Sequence, residues 1–267
     1  MPRARTNDET WRAFLAGEIE GLDGLRGMFR RLPSAPRCKI CQAPFEGVGG
    51  KILRFTPFRR WDANATICNI CTGSLGQSVG GTEIEATFLF ADIRGSTGVA
   101  EHLRPAEYQA LLQRFYRVCA MAVDEAGGLV DKFLGDGVVA FFVPVFTGDG
   151  GPAASAIQAG RAILDGVGGS EGGSDWLPVG VGVHTGLAYV GVLGTEGGQL
   201  DFTGVGDAVN TAARLGSVAG AGELLVSLAS AQRANLATDG LERRTLELKG
   251  REEPIDVVVL GRTAVAA

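Results

Sequence analysis

The chain has 267 residues, of which 45% are hydrophobic and 21% are charged; this composition is typical of a globular protein and excludes a disordered polar chain. Its formal net charge of −5 argues against nonspecific binding of nucleic acid by the whole chain. No stretch approaches the ~20 consecutive apolar residues of a membrane span, and residues 1–8 lack the apolar core of a signal peptide. We therefore expect a cytoplasmic protein without a membrane span.

The first segment, residues 1–35, has the pattern of one short amphipathic helix. Its apolar residues recur at roughly helical spacing until Pro33 ends the run: Trp11, Phe14, Leu15, Leu22, Leu25, Phe29 and Leu32. Each of the glycines inside the run weakens a helix by about 1 kcal/mol relative to alanine. Either this helix packs on another part of the protein, or the segment is a leader without a function.

Four of the five cysteines form two C-x-x-C pairs, which predicts a metal site in residues 36–76. Between the pairs, Cys38 with Cys41 and Cys68 with Cys71, lie 26 residues, a longer gap than the usual ~15–20 residues. Four thiolates in tetrahedral geometry favour Zn²⁺, so we expect one structural Zn²⁺ per chain in a zinc-ribbon-like module. The module has few apolar residues, so the metal would supply much of its folding free energy. Unpaired thiols, a redox pair and an iron–sulfur cluster are the alternatives.

Basic and aromatic residues are interleaved between the two cysteine pairs: Lys51, Arg54, Phe55, Phe58, Arg59, Arg60 and Trp61. Such a mixture can bind nucleic acid or a phosphorylated ligand. Arginine and aromatic residues are also enriched at protein interfaces, so we prefer a surface that docks on the rest of the protein or on its partner. An upstream regulatory protein acting through this module is one such partner.

After a linker of small residues at 77–82, residues 83–262 read as alternating strands and helices. In chain order we predict a strand at 84–91, a helix at 105–126, two strands in 129–142 joined by a turn at 135–137, a helix at 152–164, strands at 179–183 and 187–193 joined through 184–186, a helix at 207–218 and a strand at 255–260. This β-α-β-β-α-β order predicts an α+β, ferredoxin-like (split βαβ) domain, with one antiparallel sheet and helices over one face. His184, in the predicted turn, is interpreted as structural.

Two aspartates in turns are candidates for a metal site at one end of this sheet. Asp92 ends an apolar strand, and the backbone N–H groups of the small-residue turn after it can point at an anion. Asp136 lies at the hairpin tip, which a ferredoxin-like sheet places beside that strand. Two such carboxylates can hold Mg²⁺ with phosphate oxygens, and two metals can activate a hydroxyl and stabilise a leaving pyrophosphate. Each aspartate alone is more commonly a turn residue.

Five segments resemble, in order, the motifs of the class III adenylate/guanylate cyclase catalytic domain. They are FADIRGST at 90–97, KFLGDG at 132–137, GVHTG at 182–186, VGDAVNTAARL at 205–215 and LKG at 248–250. Several motifs in register are far more specific than one glycine-rich match. The resemblance implies an adenylate cyclase that converts ATP to 3′,5′-cyclic AMP and pyrophosphate on two Mg²⁺ or Mn²⁺ ions per active site.

The resemblance also implies the metal ligands and the residues around them. Asp92 and Asp136 match the metal-binding pair, with the Ile93 carbonyl also near a metal. The residues expected to contact the substrate beside them are Ile93, Gly95, Ser96 and Thr97. Lys249 matches a lysine that reaches the terminal phosphates.

Base recognition and charge stabilisation are implied for four further residues. Lys132 matches the lysine that reads adenine, and Thr203 the second base-reading residue; this pair resembles the ATP-selective bacterial type, since guanylate cyclases have Glu in place of the lysine. Asn210 and Arg214 match the pair that stabilises the transition state, and their i, i+4 spacing puts both on one helix face. Outside the motif, Arg214 would read as a surface arginine of an amphipathic helix.

In the family that the chain resembles, the active site forms between two catalytic domains. One domain supplies the aspartates, and the other supplies the base-reading residues and the Asn/Arg pair. This chain carries both sets, which implies a head-to-tail homodimer with two equivalent sites and an inactive monomer. The chain departs from some members at 194–199, where it has no cation, so that the means of holding the pyrophosphate end stays open. No side chain of the motifs is an obvious general base.

Two other functions remain as alternatives. A catalytically silent cyclase fold could sense nucleotides or act as a scaffold, although the intact metal-binding, lysine and Asn/Arg positions argue against decay. A cyclase could also use GTP or a pyrimidine triphosphate. Lys132 argues against guanine, because a lysine donor suits the N1 acceptor of adenine and not the N1–H of guanine.

Overall fold

The computed structural model describes residues 7–32, 36–61, 64–73, 80–147, 150–168, 176–194, 200–251 and 253–261. In these ranges the helices are α1 Asn7–Leu15, α2 Leu22–Arg30, α3 Gly47–Leu53, α4 Asn69–Gly73, α5 Ser96–His102, α6 Pro105–Glu125, α7 Gly151–Val167, α8 Asp207–Val218 and α9 Leu228–Arg233. The strands are β1 Arg60–Trp61, β2 Asn64–Cys68, β3 Gly80–Ile93, β4 Leu129–Leu134, β5 Gly137–Phe142, β6 Val179–Gly194, β7 Leu200–Val205, β8 Leu224–Ser227, β9 Arg243–Leu246 and β10 Ile255–Leu260.

Eight strands form one sheet in the order β4-β5-β3-β6-β8-β10-β9, with β7 paired to β6. The helix α6 lies between β3 and β4 in the chain, and α7 lies between β5 and β6. Strands β3 to β6 with these helices therefore form a split βαβ unit, so the predicted fold class is confirmed. The sheet is mixed rather than antiparallel throughout, because β6 and β8 are parallel. The chain returns between them through α8, and parallel neighbours need such a crossover.

Helices cover both faces of the sheet, not one face as expected. The main core lies under α6 and α7, where Phe115 and Ile163 pack with Leu224 and Val226 of β8. On β8 the intervening residue, Leu225, instead packs with Leu215 of α8 in a second cluster. Successive side chains of a strand point to opposite faces, so α8 covers the face opposite α6 and α7.

The predicted turn at 184–186 is wrong, because β6 continues through it as one strand from Val179 to Gly194. Gly186 is not among the described residues with positive φ, and nothing in the backbone there requires a turn. Its lack of a side chain serves packing instead, since a Cβ would lie 3.1 Å from the Cβ of Ala208 in α8.

Glycines also explain two differences near the amino terminus. The single helix expected in 1–35 is two helices, because Gly17 and Gly21 take left-handed φ values of 81° and 76° between them. Of the predicted linker 77–82, residues 77–79 lie outside the described residues and 80–82 begin β3. Gly81 lies where a Cβ would be 2.5 Å from the Val190 carbonyl oxygen, so close strand packing requires this glycine.

The chain divides into two compact units. Unit 1 comprises Met1–Ile84, Pro144–Phe146 and Tyr189–Gly204, and the rest of the chain is unit 2. Unit 1 thus joins the amino-terminal segment to two pieces of later chain, including the end of β6 and most of β7. Nothing in the linear sequence pattern indicates that association.

Candidate functional site

Asp92 and Asp136 lie at the same end of the sheet. Asp92, near the end of β3, is opposite Gly137 of β5 in the antiparallel register. The Ile93 N–H donates to the Asp136 carbonyl oxygen at 3.0 Å. The β4–β5 hairpin therefore brings its tip to the strand end, in the arrangement that a shared metal site requires.

Both carboxylates are hydrogen-bonded to neighbouring side chains. The Arg94 guanidinium donates to Asp92 Oδ2, and the Ser96 hydroxyl donates to Asp136 Oδ2. Burial lowers the pKa of Arg94, while the negative charge of Asp136 acts in the opposite direction. One arginine thus supplies positive charge beside both carboxylates, a role that the sequence patterns did not reveal.

A left-handed glycine shapes the turn that follows Asp92, and a tyrosine of α6 supports the turn that carries Asp136. Gly95 has φ 66°, a left-handed conformation that starts α5 at Ser96 and carries Thr97 into its first turn. The Tyr116 hydroxyl on α6 donates to the Gly135 carbonyl of the hairpin tip. The hairpin tip is therefore tied to α6.

A cavity of about 200 Å³ lies beside Asp92, lined by the β4–β5 hairpin and by Ala213 and Ser217 of α8. The carbonyl of Ser217 accepts a hydrogen bond from Arg94. The helix approaches the sheet closely because Gly216 has no side chain: a Cβ there would lie 2.9 Å from the Cβ of Phe90. Packing at one glycine thus sets the distance between α8 and the strand that carries Asp92.

A second charged cluster, which we call the cation cluster, consists of Arg214, Lys249 and Arg251. The Arg214 guanidinium lies against Gly250, where a Cβ would be 3.2 Å from Nη2, and Gly250 itself has φ 79°. Within the part of the chain that the structure describes, neither Arg214 nor Lys249 has an ion pair. Arg214 and Lys249, the two members of the cluster without a carboxylate partner among the described residues, are suited to bind an anion.

Arg251, which the sequence analysis missed, ties this loop to α8. Its guanidinium donates to Asp207 at 2.5 Å and to Thr211 at 2.7 Å. Asn210, between these two residues, is exposed and lies one turn before Arg214. The arginine after the Lys-Gly pair was visible in the sequence, but its partners, Asp207 and Thr211, are 44 and 40 residues away.

The expected base-reading residues fall in different compact units. Lys132 is on β4 of unit 2, opposite Val139, with its Nζ 3.4 Å from Asp131. Thr203 is on β7, belongs to unit 1 and is buried. The stretch 195–199, where the sequence has no cation, lies outside the described residues.

His184 belongs to a buried polar network of unit 2. Its Nδ1 shares a hydrogen bond with Ser227 Oγ at 2.9 Å, and the chain of hydroxyls continues through Ser230 and Thr185 to Thr87. Burial, with a smaller effect of Arg251, lowers the pKa of His184 to about 4. The ring is therefore neutral at pH 7, in keeping with its interpretation as a structural residue.

The four cysteine sulfurs of unit 1 lie within 4.8 Å of one another. The Sγ atoms of Cys41 and Cys68 are 3.6 Å apart, and those of Cys38 and Cys71 are 3.9 Å apart. Zn–S bonds of ~2.3 Å in a tetrahedron give sulfur separations of about 3.8 Å, so the geometry fits a tetrahedral ion. Hydrogen bonding among the thiols, with Cys41 the largest contributor, lowers the pKa of Cys38, while hydrogen bonding to Cys38 raises the pKa of Cys41 and Cys71.

No helix in the described part of the chain is both long enough and apolar enough to span a bilayer.

Comparison with known proteins identifies the sheet-bearing part of the chain. A family model of the adenylate and guanylate cyclase catalytic domain matches residues 82–261. An adenylate cyclase of Anabaena cylindrica is 36% identical over 132 residues, which are 48% of this chain and 26% of that protein. An uncharacterized protein of Mycobacterium tuberculosis is 32% identical over 190 residues, which are 68% of this chain and 34% of that protein. The chain therefore spans about a quarter to a third of the length of these relatives.

Two solved structures share the fold and differ in the nucleotide named for them. The guanylyl cyclase Cya2 is 27% identical with a TM-score of 0.61, over 69% of this chain and 96% of that one. The adenylyl cyclase CyaB from P. aeruginosa is 28% identical with a TM-score of 0.59, over 70% of this chain and 99% of that one. The family match begins after the four cysteines, which therefore lie outside it.

Proposed function

Because the chain belongs to the family of adenylate and guanylate cyclase catalytic domains, we propose that it converts ATP to 3′,5′-cyclic AMP and pyrophosphate. The observation that carries this proposal is the pair of charged clusters in unit 2. Asp92 and Asp136 meet at one end of the sheet, and Arg214 has no ion pair among the described residues. Carboxylates for divalent cations and a free cation for phosphates complement the charges of a metal–nucleoside triphosphate.

Asp92, Asp136 and the Ile93 carbonyl are the proposed ligands of two Mg²⁺ or Mn²⁺ ions, since both metals prefer oxygen donors. When bound, such ions polarise the ribose 3′-hydroxyl and neutralise charge on the leaving pyrophosphate. Metal binding would require Arg94 to release Asp92, and the bond of Arg94 to the Ser217 carbonyl would keep the guanidinium beside the cavity. The backbone amides of Gly95, Ser96 and Thr97 complete the phosphate contacts.

In the proposed reaction the 3′ oxygen forms a bond to the α-phosphorus, and the bond from that phosphorus to the pyrophosphate oxygen breaks. The hydroxyl proton leaves to a carboxylate, a phosphate oxygen or water. Arg214 stabilises the charge that develops on the α-phosphate, and Asn210 reaches the same place from the preceding turn. Lys249, which precedes the Gly250 that Arg214 approaches, is proposed to reach the terminal phosphates.

Lys132 and Thr203 are the residues proposed to select ATP. A lysine donor matches the N1 acceptor of adenine, whereas guanine presents an N1–H donor to the same group. Similarity to both an adenylate cyclase of Anabaena cylindrica and the guanylyl cyclase Cya2 makes GTP the second candidate substrate.

The site is proposed to form between two copies of the chain arranged head to tail. Within one chain, α8 presents Ala213 and Ser217 to the cavity beside Asp92, and Arg214 instead lies against Gly250. A two-fold axis would let the cation cluster of one copy serve the carboxylates of the other, twice per dimer.

One structural Zn²⁺ on Cys38, Cys41, Cys68 and Cys71 is proposed for unit 1. All four thiols are buried, and their separations leave room for a tetrahedral ion with no open position, as in structural zinc sites. An iron–sulfur cluster on the same thiolates would colour the purified protein.

Incubation of the purified chain with each of the four nucleoside triphosphates and Mn²⁺ or Mg²⁺ tests the proposed activity. We expect cyclic AMP and pyrophosphate in equal amounts from ATP, and little product from the other three. Cyclic GMP as the main product would correct the substrate. The absence of a cyclic product from all four would refute the enzyme proposal and favour a nucleotide-sensing scaffold.

A further inference from the structure

Phe202, the residue before Thr203, lies in a buried aromatic cluster of unit 1. The Trp11 ring stacks on it with centroids 6.1 Å apart and planes at 25°, while Phe146 and Trp61 approach at 6.3 and 6.4 Å. Phe202 is 5% exposed and Trp11 is 1% exposed. Neighbouring side chains of a strand point to opposite sides, so the cluster holds β7 from the side opposite Thr203.

Trp61 connects this aromatic cluster to the second cysteine pair. It belongs to β1, whose other residue, Arg60, is paired with Cys68 of β2. The first cysteine pair is joined to β2, because the N–H of Lys39, which lies between Cys38 and Cys41, donates to the Thr66 carbonyl of β2 at 3.0 Å. An ion that fixes the four sulfurs therefore also fixes the strand pair that carries Trp61.

Arg26 provides a second, independent connection. Its Nε donates at 2.7 Å to the carbonyl of Ile40, which lies between Cys38 and Cys41, and its Nη2 donates at 2.9 Å to the Val145 carbonyl. The Val145 N–H in turn donates to the carbonyl of Leu15 at the end of α1. Since α1 also carries Trp11, the first cysteine pair is connected to the ring that stacks on Phe202.

From these two connections we infer that the four-cysteine module is a positioning element for Thr203, and that metal bound to its thiolates sets the accuracy of base recognition. Trp61, Trp11 and Phe202 are positioning residues that act through β7. The inference rests on the proposed function for the role of Thr203, but the coupling between the metal and β7 is a separate physical claim. It makes the amino-terminal module part of substrate selection.

Amide hydrogen exchange in the full chain tests the coupling without an activity assay. Removal of Zn²⁺ with a zinc-selective chelator should raise exchange at residues 200–205 by about tenfold or more, because β7 loses support. Exchange in α6 of unit 2 serves as the internal control and should not change. Unchanged exchange in β7 after loss of the metal would overturn the inference.

Trp61→Ala separates the coupling from general unfolding of the module. This variant should keep its Zn²⁺ and still show faster exchange in β7; its ratio of kcat/KM for ATP over GTP should fall roughly two- to tenfold, the range expected for loss of an aromatic contact. In Trp61→Phe, both the slow exchange in β7 and the preference for ATP should be largely retained. Trp176→Phe, in unit 2, should change neither quantity. If Trp61→Ala binds Zn²⁺ and leaves β7 exchange unchanged, the inference is wrong.

The outcomes distinguish this inference from the proposed function. A chain that makes no cyclic nucleotide yet shows metal-dependent exchange in β7 refutes the function and keeps the coupling. A chain that makes cyclic AMP with the same ATP preference in wild type and Trp61→Ala keeps the function and refutes the role in selection.

Discussion

The two candidate metal sites of this chain differ in how open they are. The four thiols of unit 1 are all buried, whereas the side chain of Asp92 in unit 2 is 31% exposed and lines a cavity. A closed set of thiolates suits an ion that stays and supports the fold. Half-exposed carboxylates, hydrogen-bonded to Arg94 and Ser96, suit ions that arrive with a substrate and leave with a product. The contrast predicts that damage to one site costs stability and damage to the other costs turnover.

The largest effect is expected at the open site. Asp92→Asn removes a charged ligand and should lower kcat by about a thousandfold or more, with little change in thermal unfolding, because the metals supply much of the charge stabilisation. Steady-state production of cyclic AMP and a melting curve measure the two quantities. Asp239→Asn, at an exposed position, is the matched control and should change neither. If Asp92→Asn unfolds the protein instead, the contrast between the sites fails.

At the closed site the expected loss is in stability. Cys68→Ser should abolish binding of one Zn²⁺ per chain and destabilise unit 1 by several kcal/mol, on the order of the folding free energy that a structural zinc supplies. Metal analysis and thermal unfolding measure this. Cys119→Ala should retain the metal, since Cys119 is buried in the main core of unit 2. A Cys68→Ser chain that keeps one Zn²⁺ with unchanged melting would contradict the assignment.

A smaller effect is expected at Arg251, which ties the loop of Lys249 and Gly250 to α8. Arg251→Met removes the bonds to Asp207 and Thr211, so Arg214 and the Lys249 loop should lose alignment, and kcat/KM for ATP should fall roughly five- to twentyfold. Arg251→Lys should recover part of the loss. Comparison of kcat with KM shows whether transition-state alignment or ground-state binding suffers. An unchanged kcat/KM in Arg251→Met would show that Arg251 has no positioning role.

The smallest effect concerns pH. Burial lowers the pKa of His184 to about 4, below its usual value near 6.5, so the folded state favours the neutral ring. This contribution to stability is complete above pH 6.5 and is lost as the pH falls toward 4, with about 1 kcal/mol gone at pH 5.5. Urea unfolding at pH 7.5 and 5.5 should show a smaller loss in His184→Gln than in wild type. Equal losses in both chains would exclude His184 as the group responsible.

Local patterns predicted the regular elements well and the long-range contacts poorly. The helix at 207–218 and the strand at 255–260 have the predicted bounds, because their apolar periodicity and flanking glycines or prolines are local signals. The turn at 184–186 was wrong because the glycine at 186 serves close packing against α8 rather than a turn. In the candidate site, the motifs located the aspartates and α8. The bond of Arg94 to Ser217 and those of Arg251 to Asp207 and Thr211 join residues that only the fold brings together.

The aromatic cluster around Phe202 shows the same limit more strongly. Its four rings come from four separate parts of the chain, and no spacing rule connects Trp11 or Trp61 with a strand that begins at Leu200. The sequence suggested only that the basic and aromatic segment docks on the rest of the protein or on its partner. The contact of Trp61 with Phe202 gives that docking a location.

Mixing of two inactive variants tests the shared active site most directly. Asp92→Ala lacks the carboxylate, and Arg214→Ala lacks the cation, so each alone should be almost inactive. In an equal mixture about half of the dimers are mixed, with one complete site of two, so activity should return to roughly a quarter of wild type. Recovery near that level supports a site built from two copies. No recovery from a mixture whose subunits are shown to exchange would contradict it.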